Sequence, residues 1–222
     1  MYLLSFAGHG SRRAVEMCAG DGIENNSANL AIHHGWDVLM IDGDADRLAR
    51  GKDFYARHQE TNRIGPKLAV EWITAENVND ILTRHGYRDD IDLLSLDMDG
   101  VDYWILEALN ITPRIIIVEY NNRIPGGRNV TVPYSHGFVA AGGAFTGDGF
   151  FGASLGAFNK LLTPRGYRLV GSNRHNTNAF FLREDVFPDR SSCSIESCLT
   201  SRWAEHQRTQ WPKLADRPWV EV

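Results

Sequence analysis

Residues 14–44, AVEMCAGDGIENNSANLAIHHGWDVLMIDGD, run from a short apolar stretch through a tight turn at Gly20, Asp21 and Gly22, then a segment at helical spacing, then a second apolar stretch ending at Asp42. Strand, turn, helix and strand packed into so short a span commit the chain to a parallel β-α-β unit with a crossover helix. The pattern also carries chemistry. Glycines let the backbone pass close under a bound ligand, and the amides opening the following helix, where Asn26 stands, face it. An acidic residue twenty positions beyond Gly22 is placed to grip a ribose diol. The unit therefore implies a nucleoside ligand.

A dinucleotide site asks for G-x-G-x-x-G, with a third glycine packing helix on strand, whereas Asn25, Asn26 and Ser27 follow this turn. Upstream, Glu16 stands four residues before Gly20. The resulting E-x-x-x-G-x-G resembles the first motif of class I S-adenosylmethionine-dependent methyltransferases. With Gly35-Trp36 and Ile41-Asp42 behind it, the string looks like the FkbM-like and related small-molecule branches. The resemblance implies that Glu16 organises the amino-acid end of the cofactor. It further implies that Gly20, Asp21, Gly22 and Asn26 make room for the cofactor, and that Asp42 binds the ribose hydroxyls. The plain alternative is a turn that only connects strand to helix.

The chain has 222 residues, 43% of them hydrophobic, enough for one well-buried core and short for two independent domains. A net charge of -5 argues against a broad grip on nucleic acid. No apolar run approaches the roughly 18 residues of a membrane span, and MYLLSFAGHGSRR lacks a basic stretch ahead of a long apolar one. The expectation is a soluble cytoplasmic protein with reduced thiols at Cys18, Cys193 and Cys198.

Beyond the first unit, residues 45–65 suit a helix, LAVEWI a third strand, and TAENVNDILTRHG a helix capped by Thr74 and closed at Gly86. IDLLSLDMDG reads as a central strand covered on both faces, VDYWILEALN as its helix, and the β-branched RIIIVEYN as another interior strand. Residues 121–152 are rich in Gly, Pro and Asn without a period, as expected of a substrate loop. ASLGAFNKLLTPRG gives a helix, and YRLVGSN with NAFFLRE a closing hairpin. The expected fold is Rossmann-like α/β: a doubly wound, mostly parallel seven-stranded sheet with an antiparallel C-terminal hairpin. Residues 1–186 form the cofactor-binding domain. The tail 187–222, with Trp203, Trp211 and Trp219, packs on that domain or joins two copies of the chain.

Ligands of open parallel sheets bind beyond the carboxyl ends of the strands. Glu76 and Asn77 are placed to reach an adenine amine, although Asn77 also suits a helix cap. Asp97, Asp99, Glu119 and Asn121 end neighbouring strands, and such oxygen ligands suit magnesium. A hydroxyl acceptor held there loses its proton more easily, as in the catechol-type O-methyltransferases that the arrangement resembles. Asp97 is thus a candidate for both cofactor binding and catalysis. His136, in the long loop, is a candidate base for O- or N-methylation, and Tyr103 a candidate wall of the methyl-donor pocket. The acceptor is a small molecule.

Two rival readings stand beside this one. Leu96-Asp97-Met98-Asp99-Gly100-Val101 resembles the nucleophile motif of haloacid dehalogenase-type phosphatases, but that motif belongs on a first strand and here follows a whole nucleotide-binding half. A binding module that keeps the fold without catalysis also fits.

Overall fold

The computed structural model describes residues 2–138 and 147–222. A seven-stranded sheet runs through the chain in the order β3-β2-β1-β4-β5-β8-β7. Its members are β1 (Arg13–Met17), β2 (Asp37–Asp42), β3 (Lys67–Val70), β4 (Leu93–Leu96), β5 (Ile115–Glu119), β7 (Tyr167–Ser172) and β8 (Asn178–Arg183). Two compact units share these strands, Met1–Asp97 with Ala108–Ile116, and Met98–Glu107 with Ile117–Val222.

In the first unit, β1 pairs in parallel with β2 and β4, and β2 with β3. Val15 stands opposite Leu39 and Leu94, while Glu16 stands opposite Met40 and Ser95. All residues of β4 are buried, and all of β2 after Asp37, which is why these segments read as unbroken apolar runs rather than alternating ones. The helices are α1 (Tyr2–Ala7), α2 (Ala28–His34), α3 (Ala45–Arg57) and α4 (Val78–Arg84). Asp44 caps α3 by accepting from the Asp46 and Arg47 amides. Helix α4 begins three residues later than the sequence suggests. Asn77 rather than Thr74 is its N-cap, and the Asn77 side chain reaches back to accept from the Thr74 N–H at 2.8 Å. At the opposite end of the sheet, buried Asp92 accepts from the Gly10 and Arg12 amides at 2.8 and 2.7 Å and pairs with Arg114 at 3.2 Å. That carboxylate anchors the approach to β1.

In the second unit, α5 (Asp102–Ala108) opens after Gly100 and α6 (Leu155–Leu162) is capped by the Ser154 hydroxyl. The hairpin of β7 and β8 is antiparallel, as its sequence predicts. The segment 121–152 is less irregular than its composition implies. It contains β6 (Val130–Thr131), paired antiparallel with β9 (Val220–Glu221) at the chain end. Its residues 139–146 lie outside the described residues. The tail adds α7 (Arg202–Arg208) and α8 (Trp211–Leu214), and the Tyr120 hydroxyl donates to the Cys198 carbonyl. Insert and tail are therefore stitched together, a pairing of residues ninety apart that no local pattern announces. No helix among the described residues is long and apolar enough to cross a membrane.

Candidate functional site

The strand ends of the first unit assemble around the glycine turn. Gly20 and Gly22 have φ of +63° and +76°, and Cys18, ahead of them, has +57°. The left-handed region favours glycine at 20 and 22, and a Cβ on Gly22 would also sit 2.8 Å from the Met40 sulfur. Asp42 at the end of β2 accepts from the Gly20 N–H at 2.7 Å through one oxygen and from the Asp44 N–H at 2.8 Å through the other. Each carboxylate oxygen has a second lone pair, so Asp42 can accept further hydrogen bonds alongside this brace. Asp21 accepts from the Ile23 N–H, and Asn26 donates to the Ser95 hydroxyl at 3.0 Å.

Glu16 is 2% exposed, and its Oε2 has no hydrogen-bond partner. Burial pushes its pKa up to about 7, against hydrogen bonds from Ser95 and Ser27 that lower it, while the neighbouring Asp97 charge raises it further. A buried, unpartnered carboxylate oxygen is costly unless a ligand supplies the missing donor, and an ammonium group supplies both charge and protons.

The sequence does not single out two further residues of this unit. Gly51, inside α3, lies against the turn so closely that a Cβ there would be 1.9 Å from the Asp21 carbonyl oxygen. Trp72 is 55% exposed beyond β3, and its ring lies where a Cβ on Gly43, the residue after Asp42, would meet it at 2.8 Å. Glycine at position 43 is the sequence signal for that ring. Asn77 donates to the Trp72 carbonyl at 2.9 Å while accepting from Thr74, so its amide shapes the turn that presents Trp72. Glu76 is exposed.

Asp97 follows β4 at the end of the first unit, and within the second unit Asp99 and Glu119 each place a carboxylate oxygen within 4.8 Å of the other. Asp99 has a φ of +53°, in the left-handed region that non-glycine residues rarely adopt. Asn121 is 1% exposed, donates to the Gly149 and Phe151 carbonyls and accepts from the Arg123 N–H, which ties the long insert to the end of β5.

In the second unit Tyr103 is 6% exposed and packs against Trp104 and Phe158, with its pKa raised by burial. Trp104 donates to the Val132 carbonyl. His136 is exposed, its ring 5.4 Å from that of Tyr134. A small cavity is lined by Glu119, Asn122, Arg123, Phe151, Trp203 and Gln207. Arg123 is 5% exposed, donates to Gln210 and lies over the Phe151 ring, and burial lowers its pKa. Gln207 is also 5% exposed, with its Oε1 lacking a partner.

No protein-family model matches the sequence, and no curated protein matches it. Solved structures do. A Staphylococcus aureus protein assigned as a caffeoyl-CoA O-methyltransferase superposes with a TM-score of 0.50 at 15% identity, covering 82% of this chain and 79% of that one. The chain shares the Rossmann-like α/β fold of that protein. SpnF, a [4+2]-cyclase, matches at a TM-score of 0.46 and 12% identity over 76% of this chain and 56% of its own. A Clostridium acetobutylicum S-adenosylmethionine-dependent methyltransferase matches at 0.38 and 14% over 60% and 53%. The chain thus spans little more than half the length of these two proteins. None of these three matches singles out the FkbM-like branch. The Asp97–Gly100 string follows the fourth strand in chain order, away from the first-strand position the phosphatase motif takes.

Proposed function

We propose that the chain binds S-adenosylmethionine through the strand ends of its first unit and transfers the methyl group to a hydroxyl oxygen of a small acceptor. The observation that carries this reading is Glu16, a buried carboxylate with an unpartnered oxygen beside a glycine turn braced by Asp42. Glu16 would take the ammonium end of the cofactor, the Gly20–Gly22 backbone its middle, and Asp42 the ribose. Trp72 offers an exposed aromatic face for the adenine.

The hard oxygen donors of Asp99 and Glu119 in the second unit suit a divalent cation such as magnesium, and these residues would hold it. A cation there supplies Lewis acidity that makes an acceptor hydroxyl more acidic. Asp97 would be the residue to take the hydroxyl proton. When bound, the cofactor would supply a sulfonium methyl, whose transfer to the oxygen would break the sulfur–methyl bond and leave a neutral thioether. The cavity lined by Arg123 and Gln207 would anchor an acceptor that presents an anionic or carbonyl group to the guanidinium and a donor to the Gln207 oxygen.

The test is calorimetric titration of the full chain with S-adenosylmethionine, beside Glu16→Gln and Asp42→Ala. Micromolar binding by the natural chain, weakened at least tenfold by each substitution, is expected. Absence of heat with the natural chain, under conditions where it is folded, rejects the reading.

A further inference from the structure

Outside the strand-end site, the second unit brings two thiols together. Cys193 and Cys198 have sulfurs 3.6 Å apart, with Cys193 partly exposed and Cys198 2% exposed. Both are held by backbone bonds. The Cys193 N–H donates to the Leu169 carbonyl of β7 at 2.9 Å, and the Cys198 carbonyl accepts the Tyr120 hydroxyl just beyond β5. The short 3-10 turn Glu196–Leu199 brings the second sulfur back onto the first. We propose that Cys193 and Cys198 form a reversible thiol–disulfide site, with Cys193 as the attacking thiol and Cys198 as the resolving one. The oxidant is a low-molecular-weight disulfide of the glutathione class.

The asymmetry of the pair assigns the order. A partly exposed sulfur is reachable by a small disulfide, whereas the buried one is reachable only by its neighbour. The thiol hydrogen bond from Cys198, with help from Ser197 and the Arg190 charge, holds the Cys193 pKa well below the usual thiol value. The hydrogen bond that Cys198 gives to Cys193, together with its burial and the neighbouring Cys193 charge, pushes the Cys198 thiol up.

In the first step the Cys193 thiolate attacks one sulfur of the small disulfide, forming a mixed disulfide and expelling one small thiolate. Cys198 then gives its proton to a thiolate and attacks the Cys193 sulfur. The Cys193–Cys198 bond forms and the second small thiolate leaves. Two protein thiols are oxidised and one small disulfide is reduced to two thiols, so electrons and protons balance. Both partners sit on segments anchored to the sheet, so the bond would fasten the tail between β7 and the end of β5. This proposal does not depend on the methyltransferase reading.

The test equilibrates the full chain with mixtures of oxidised and reduced glutathione, then alkylates free thiols and maps them by mass spectrometry. Expected is joint loss of alkylation at 193 and 198, recovery on reduction, and a linked 193–198 peptide. Cys198→Ser should accumulate a glutathione adduct on Cys193, while Cys193→Ser should leave Cys198 unmodified. The proposal is overturned if both thiols of the natural chain stay alkylatable in oxidised glutathione. It is equally overturned if Cys198 of the Cys193→Ser chain takes up glutathione as readily as Cys193 does in the reciprocal variant.

Discussion

The Gly20 amide donates to Asp42 Oδ2 at 2.7 Å, so the residue proposed to hold a ribose also braces the glycine turn. Removing the side chain therefore removes two functions at once. Asp42→Asn separates them, because its carbonyl oxygen still accepts from one backbone amide while its charge and one acceptor are lost. We expect Asp42→Ala to lower both the melting temperature and cofactor affinity. Asp42→Asn should lower affinity by about tenfold, or about 1.4 kcal/mol, with a smaller loss of stability. Equal effects of the two substitutions on calorimetric affinity and on melting temperature would contradict the dual role.

Glu16 links cofactor binding to pH. Its folded pKa, about 7, lies above the unfolded carboxyl value of 4.5, so the folded state without cofactor binds this proton more tightly. That contribution is fully present below pH 4.5, declines through the window up to about 7 and is lost above it. The shift corresponds to about 3 kcal/mol at most. Glu16→Gln should accordingly be more stable than the natural chain at pH 8, and the advantage should shrink toward pH 5, as measured by denaturant unfolding. Cofactor affinity of the natural chain should rise as pH increases through 7, while that of Glu16→Gln stays flat. A flat profile for the natural chain would remove Glu16 from the ammonium site.

Gly51 tests the packing of α3 on the turn. In the middle of an exposed helix, Gly→Ala ordinarily stabilises by about 1 kcal/mol. Here the added carbon would meet the Asp21 oxygen at 1.9 Å, and that contact is to backbone, which cannot swing aside. Gly51→Ala should instead destabilise by about 1–3 kcal/mol and weaken cofactor binding by displacing the turn. Unfolding curves read the sign directly, and a stabilised variant would show that the turn has room to move.

Metal dependence is read by exhaustive chelation. Methyl transfer to a hydroxyl acceptor should fall at least a hundredfold and return with magnesium, while calorimetric binding of S-adenosylmethionine persists. Asp99→Asn should reproduce the loss. Activity that survives chelation would set the cation aside and make His136 the base to substitute next.

The central strands were legible because parallel strands covered on both faces leave long apolar runs, as in Leu93–Leu96 and Ile115–Glu119. The glycine turn and Asp42 were legible because positive φ and a strand-end carboxylate restrict residue type at fixed spacing. The cap of α4 was misplaced by three residues, since Thr74 and Asn77 are both good caps and only the turn around Trp72 chooses between them.

By itself the sequence determined the order of strands and helices, the antiparallel closing hairpin and the acidic strand ends, all governed by short-range periodicity and backbone sterics. Tertiary structure alone decided which distant groups meet. Gly51 packs α3 against the Asp21 carbonyl, β6 pairs with β9, and Gln207 is buried with an unpartnered oxygen beside Arg123. Such pairings depend on how far and in what direction the chain returns, and no local pattern of residues encodes that distance.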